Sequence, residues 1–275
     1  MWEALQFEFM RNAVAAGLLV SLICGVLGTL VVVNRIVFIS GGIAHAAYGG
    51  IGLALYFGAS PALGATLFSV VVSMVMGVAS IKSKERADTI IGVMWALGMA
   101  LGIIFSELTP GYHVDLMSYL FGSILSVPGS DLWYMLFLDL LVLLFVFYFY
   151  KELVAMSYDE EFSFVVGIPV RALYFVLLGL ISLSVVVIIR VVGLILVIAL
   201  LTIPPFIAEK YTGSLSRMMV LASLLSMMFT VTGLWLSYQL NLASGATIIM
   251  VAGVGFLLSL AIDTVVGKRR QTEDR

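Results

Sequence analysis

The chain has 275 residues, of which 62% are hydrophobic and only 11% charged, and its 14 Lys and Arg against 16 Asp and Glu leave a formal charge of −2. Soluble domains carry about 25% charged residues, so a mean hydropathy of +1.17 excludes a water-soluble globular fold, and with no basic face outside the membrane-flanking loops nucleic acid is excluded as a partner. The single cysteine, Cys24, excludes an intramolecular disulfide and a cysteine-built metal cluster.

Cutting the chain at charges, Pro and Gly clusters leaves nine apolar stretches, roughly 12–33, 43–58, 61–81, 89–106, 132–150, 172–189, 191–208, 218–238 and 242–262. Most are close to the roughly 20 residues that a bilayer-spanning helix needs. The fold class expected is therefore all-α, a polytopic transmembrane bundle forming a single domain over 1–275. Glu3 and Glu8 precede the first cation, Arg11, which is not the charge order of a secretory signal peptide, so the first span is expected to stay in the protein. The second stretch is short, and the count falls to eight if it re-enters instead of crossing. No formal charge occurs from Val37 to Ile81, and that run is divided at Gly58-Ala59-Ser60-Pro61, where the proline ring breaks a helix.

Nine spans with the N-terminus outside put twelve of the 14 cations on the cytoplasmic side: Arg35; Lys82, Lys84 and Arg86; Lys151 and Arg171; Lys210 and Arg217; Lys268, Arg269, Arg270 and Arg275. Only Arg11 and Arg190 remain outside. This positive-inside bias sets the orientation, supports the odd count and puts the C-terminus in the cytoplasm. The compartment expected is the cytoplasmic (inner) membrane.

Four features carry chemistry. In ISGGIAHAAYGGIGLALYFG, Gly42, Ala46 and Gly50 recur every four residues, as do Gly41, His45 and Gly49. Two adjacent faces are thus small, which permits close helix approach in lipid. His45 either ligates a transition metal or bonds a neighbouring carbonyl. Asp139, in the fifth span, either lies on a polar pathway or is a protonated carboxyl bonded to a neighbouring helix. Outside, segment 107–131 holds only about a dozen moderately apolar residues, too few to cross, and reads as a short interfacial or re-entrant helix; it carries His113, read as solvated, and Asp115, for which a vestibule role competes with solvation. The loop at 151–170, KELVAMSYDEEFSFVVGIPV, is either a short acidic-then-apolar helix that docks on a partner or a solvated connector.

Enzyme signatures are missing. The only Gly-Lys pair, Gly267-Lys268, is followed by Arg269 and lacks the rest of a P-loop, and neither H-E-x-x-H nor G-x-S-x-G occurs. An intramembrane enzyme is disfavoured. A secondary transporter or channel working without an ATPase stays as the alternative to an ATP-driven permease.

Several blocks in order, covering nearly the whole chain, carry a resemblance: Val31-Val32-Val33-Asn34-Arg35, Ala44-His45-Ala46, Gly50-Ile51-Gly52-Leu53-Ala54, the run Asp115 to Gly122, Ser157 to Phe162 with Gly167, Val192-Gly193-Leu194-Ile195-Leu196, Ile203-Pro204-Pro205 and Ser244-Gly245-Ala246-Thr247. On them the sequence resembles the membrane permease subunits of ABC importers for zinc, manganese and iron. The resemblance implies a divalent metal as substrate, with zinc placed first, and no resident cofactor. Its implied partners are a second permease copy as a homodimer, a cytoplasmic P-loop ATPase and an extracellular metal-binding protein. It implies that Asp159, Glu160, Glu161, Phe162 and Gly167 form the coupling helix that enters the ATPase, and that His45 is a metal ligand; Asp115, and Asp139 as an intramembrane carboxyl, are further candidates. Many members carry Asp four residues before that His. Here the position is Gly41, so the ion is held by His45 with its copy from a second subunit, or by another group such as Asp115, or through weaker contacts.

Overall fold

A computed structural model describes residues 6–110, 122 and 124–273, the side chains of 84 and 265–273 apart. All regular structure among the described residues is helical. In chain order the helices are α1 (Glu8–Val33), α2 (Val37–Tyr56), α3 (Pro61–Lys82), α4 (Ala87–Leu108), α5 (Gly129–Tyr148), α6 (Tyr150–Tyr158), α7 (Glu160–Val165), α8 (Val170–Val192), α9 (Leu194–Tyr211), α10 (Leu215–Leu240) and α11 (Ser244–Glu273), with 3₁₀ turns at Lys84–Arg86 and Ile124–Ser126. Among the described residues nine helices, α1–α5 and α8–α11, are long and apolar enough to cross a bilayer.

Two boundaries differ from the sequence reading, each for a physical reason. The second span starts at Val37 and has 20 residues, about 30 Å at 1.5 Å per residue, as long as the hydrocarbon core is thick. Gly41 and Gly42, taken in the sequence as the limit of that span, lie inside the helix. In lipid a glycine marks close approach more often than a break, because tail-to-tail burial does not drive helices together and packing does. The other boundary is at the sixth and seventh spans, expected to part around Arg190. α8 runs through Arg190, whose guanidinium lies 3.6 Å from the Asp131 carboxylate at the start of α5, and ends where Gly193 takes φ of 83°. A positive φ costs an L-residue with a side chain roughly 1–2 kcal/mol, so the glycine and not the charge makes the break. A Cβ on Gly122 would overlap the Gly193 backbone, so these two turns touch.

α1 and α2 form the axis of the bundle, with 72% and 78% of their membrane-crossing windows buried, against 22% for α4 and α11. α1 is enclosed by α10, α9 and α5, and α2 by α4, α3 and α8. Pro204 and Pro205 sit inside α9. Pro205 has no N–H to give the Leu201 carbonyl one turn back, and Gly28 of α1 is what lets that helix lie against the exposed oxygen, a Cβ there falling 2.6 Å from it.

The α2–α4 seam is glycine against glycine. A Cβ on Gly52 would overlap the Gly102 backbone, one on Gly98 would lie 2.8 Å from the Ala46 Cα, and one on Gly49 would lie 2.9 Å from the Gly98 carbonyl oxygen. Gly52→Leu is expected to force the two helices apart, at a cost above the roughly 1–3 kcal/mol of ordinary overpacking because the obstacle is backbone. The monodisperse peak in detergent size-exclusion chromatography should be lost. A variant eluting like the parent with the same Tm would contradict the seam.

Candidate functional site

His45 sits in the middle of α2, half-buried, on the side turned to α4. Its Nδ1 lies 2.9 Å from the Gly41 carbonyl oxygen, one turn back on its own helix. A carbonyl only accepts, so in the neutral ring Nδ1 carries the proton and Nε2 carries the lone pair. A backbone oxygen fixing one nitrogen while the other faces a ligand is the usual arrangement behind a metal-binding imidazole. The ring is held on its flat side too. The Trp95 indole of α4 stacks on it, centroids 3.7 Å apart and planes 29° apart, and the Trp95 Nε1–H donates to the Met99 Sδ at 3.3 Å.

The small residues around His45 divide. Gly42 faces Ile91 and Met76, Gly49 faces Phe68 and Gly98, and Gly50 lies against Gly64, all too close for a side chain. Gly41, expected with them as a close-packing position, is different: a Cβ there would meet no neighbouring atom within 4 Å. The carboxylate absent from this turn therefore leaves room behind it.

The other candidates lie elsewhere. Asp139 is buried in α5, which packs chiefly on α1 and α8, and its Oδ2 has no hydrogen-bond partner. Neither a serine nor a carbonyl of a neighbouring helix receives that oxygen. Its helix packs on α1 and α8, apart from the turn of α2 that carries His45. Asp139→Asn, which keeps the shape, is accordingly expected to leave metal uptake unchanged, and reduced uptake by a variant present in membranes at parental level would place Asp139 on the ion path. Asp115 and His113 lie outside the described residues. No group of three His, Cys, Asp or Glu that could hold a metal occurs among those described.

At the end of the molecule marked by Arg35 and Lys82, a cavity of about 590 Å³ opens between the ends of α2, α3, α4 and α8. Phe38, Asp88 and Tyr174 are in its wall, and Glu160 of α7 reaches it. α7 is the acidic-then-apolar segment of the sequence. The Asp159 Oδ1 caps it, accepting the Phe162 N–H at 2.8 Å, and the Ser163 hydroxyl donates to the Asp159 carbonyl at 2.7 Å. Gly167 ends it with φ of 90° and open space around it. Phe162, Phe164, Val165 and Val166 stand in solvent, Val165 82% exposed, so the helix presents apolar side chains that nothing in the described chain covers. Asn34 Nδ2 donates to the Ser157 hydroxyl at 3.1 Å and the Tyr150 hydroxyl accepts the Ser216 N–H at 3.1 Å, tying α6, just before this segment, to α1 and α10.

Trp95, Met99 and Phe38 were not singled out in the sequence. Their signal was weak: an aromatic and a thioether four residues apart in an apolar helix read as core or as lipid-facing surface.

Comparison with known proteins gives matches along nearly the full length. The family described as the ABC 3 transport family matches residues 6–263. A membrane protein of Synechocystis sp., described as uncharacterised, is 54% identical over 261 residues, spanning 95% of this chain and 93% of its own. The manganese transport system membrane protein MntC of Halalkalibacterium halodurans is 33% identical, spanning 94% of this chain and 88% of its own. Among solved structures, PsaBC from Streptococcus pneumoniae in complex with Fab superposes with a TM-score of 0.84 at 30% identity, covering 94% of this chain and 93% of that one.

Proposed function

The chain belongs to the ABC 3 transport family, the metal permeases that its motifs resemble, and from that membership we propose that it is the membrane subunit of an ABC importer carrying a divalent transition metal into the cytoplasm. The observation that carries this reading is the match to a manganese transport membrane protein along 94% of the chain. Manganese comes ahead of zinc as the substrate, since it is the ion in that relative's name. With no P-loop in the sequence, ATP hydrolysis belongs to a separate chain, and the apolar tip of α7 is the surface that meets it. An extracellular metal-binding protein supplies the ion.

His45 is the ion's contact within the membrane, through Nε2. One imidazole holds a divalent ion weakly, and with no cluster of three His, Cys, Asp or Glu among the described residues the partner group comes from a second copy, whose own His45 makes a pair. Loose ligation suits a conduit, because an ion gripped as in a structural site would leave slowly. The open space at Gly41 makes this testable. Gly41→Asp adds a carboxylate one turn from His45 where its Cβ meets no neighbour, and is expected to tighten Mn²⁺ binding about tenfold or more, about 1.4 kcal/mol, in equilibrium dialysis. Unchanged affinity would mean that the ion does not sit beside this turn.

The alternative is a channel or secondary transporter. Uptake measured while cellular ATP is depleted and the ion gradient is clamped separates the two: uptake stops if the chain works with an ATPase, and persists if it does not.

A further inference from the structure

We propose that Trp95 is a positioning residue for the ion path and its cytoplasmic gate: stacked on His45 the indole fixes the direction of Nε2 and closes the way to the cavity at Phe38, and the ion leaves when the indole swings away. This rests on the assignment of His45 as the ion's contact.

Four observations carry it. First, the imidazole is fixed twice, by the Gly41 carbonyl at Nδ1 and by the indole on its face at 3.7 Å, so Nε2 has one direction while the stack holds. Second, His45, Trp95 and Phe38 are consecutive: Phe38 is tilted against the same indole, centroids 6.1 Å apart, and is itself in the wall of the cavity of about 590 Å³. The rings thus lie between His45 and the aqueous space on the side of Arg35. An ion at Nε2 has aromatic carbon, not water, on that side, and apolar constrictions of this kind block ions by excluding their hydration shell.

Third, the gate is lightly latched. The polar atom of the indole is held by a thioether, a weak acceptor, so releasing Trp95 breaks no strong bond. Fourth, there is somewhere for the indole to go. Gly41 and Gly92 lie one turn before His45 and Trp95 on their helices, toward the end of α2 and α4 that carries Arg35 and Arg86, and a Cβ at either would meet no neighbouring atom within 4 Å. Elsewhere along α2 the glycines are filled by neighbours. The free volume is found where the ring would need it, and helical side chains lean toward the N-terminus of their helix, here the same direction.

The test uses the full chain in lipid vesicles with Trp2, Trp133 and Trp235 replaced by Phe, so that Trp95 alone emits. Mn²⁺, a paramagnetic quencher, is titrated while its binding is followed separately by equilibrium dialysis. Binding that depends on His45 should quench Trp95 emission with the same midpoint, and His45→Ala should remove both. In ATP-free vesicles Trp95→Ala should raise passive Mn²⁺ flux about tenfold, with Trp95→Phe restoring the closed value because the ring is restored. Binding through His45 with neither quenching nor leak would overturn the gate and leave the assignment of His45 standing. Mn²⁺ binding that ignores His45→Ala would overturn that assignment and the gate with it. If Trp95→Ala does not fold, the quenching of the protein that retains Trp95 decides alone.

Discussion

Replacing His45 with Ala should lower metal uptake by about tenfold or more while the protein still inserts and folds. Loss of an outer-sphere partner alone costs a metal site about 10–100-fold, and here the removed group is the contact itself. The fold should tolerate the change. Ala leaves a small residue on a helix that is already small on this side, and what is lost structurally is one bond to a carbonyl of the same helix and one aromatic stack, about 1 kcal/mol. Uptake of radioactive manganese by cells, normalised to the amount of protein in membranes, checks both parts. Disappearance of the protein from membranes would show that His45 holds the bundle together, and unchanged uptake would take the ion path away from α2.

The second large effect is expected at the other end of the coupling. Gly167→Trp should abolish the stimulation of ATP hydrolysis by metal and the co-purification of the ATPase, with the transmembrane helices intact. At φ of 90° a side chain costs roughly 1–2 kcal/mol, and this cost falls at the end of a six-residue helix, where the Gly167 N–H donates to the Phe164 carbonyl and the Ile168 N–H to the Ser163 carbonyl. The open space around Gly167 means that nothing clashes within the chain, so the damage is confined to the surface that α7 presents. Loss of an anchor residue from such an interface weakens it by about 2 kcal/mol, roughly thirtyfold. Glu161→Lys, which reverses a charge on the same exposed turn, should act in the same direction. Normal co-purification with normal metal-stimulated hydrolysis in both variants would mean that the ATPase docks elsewhere.

The spans were legible because they depend on composition: runs of apolar residues measure the bilayer. What escaped was decided by contacts between distant residues. Gly41-Gly42 and Gly193 are all glycines in apolar runs, and only the partners show that Gly42 is wedged under Ile91 and Met76 while Gly193 turns the chain. Arg190 read as a boundary because a charge inside a span is costly, but a carboxylate on another helix gives it a place at the end of α8. His45 stands out in the sequence since it is the one imidazole in a small-residue helix. Trp95 was not, because nothing in the spacing of α4 says that its ring lies on that imidazole. Asp139 was legible as a carboxyl within an apolar run, yet that its Oδ2 has no hydrogen-bond partner is a three-dimensional fact.

The central claim, that this chain carries a divalent metal inward through His45, is tested most directly by elemental mass spectrometry of cells grown under metal limitation, with the gene deleted and then supplied as the parent or as His45→Ala. The account predicts a selective fall in one metal, manganese before zinc or iron, restored by the parent and not by the variant. Unchanged metal content on deletion, or full restoration by His45→Ala, would contradict it.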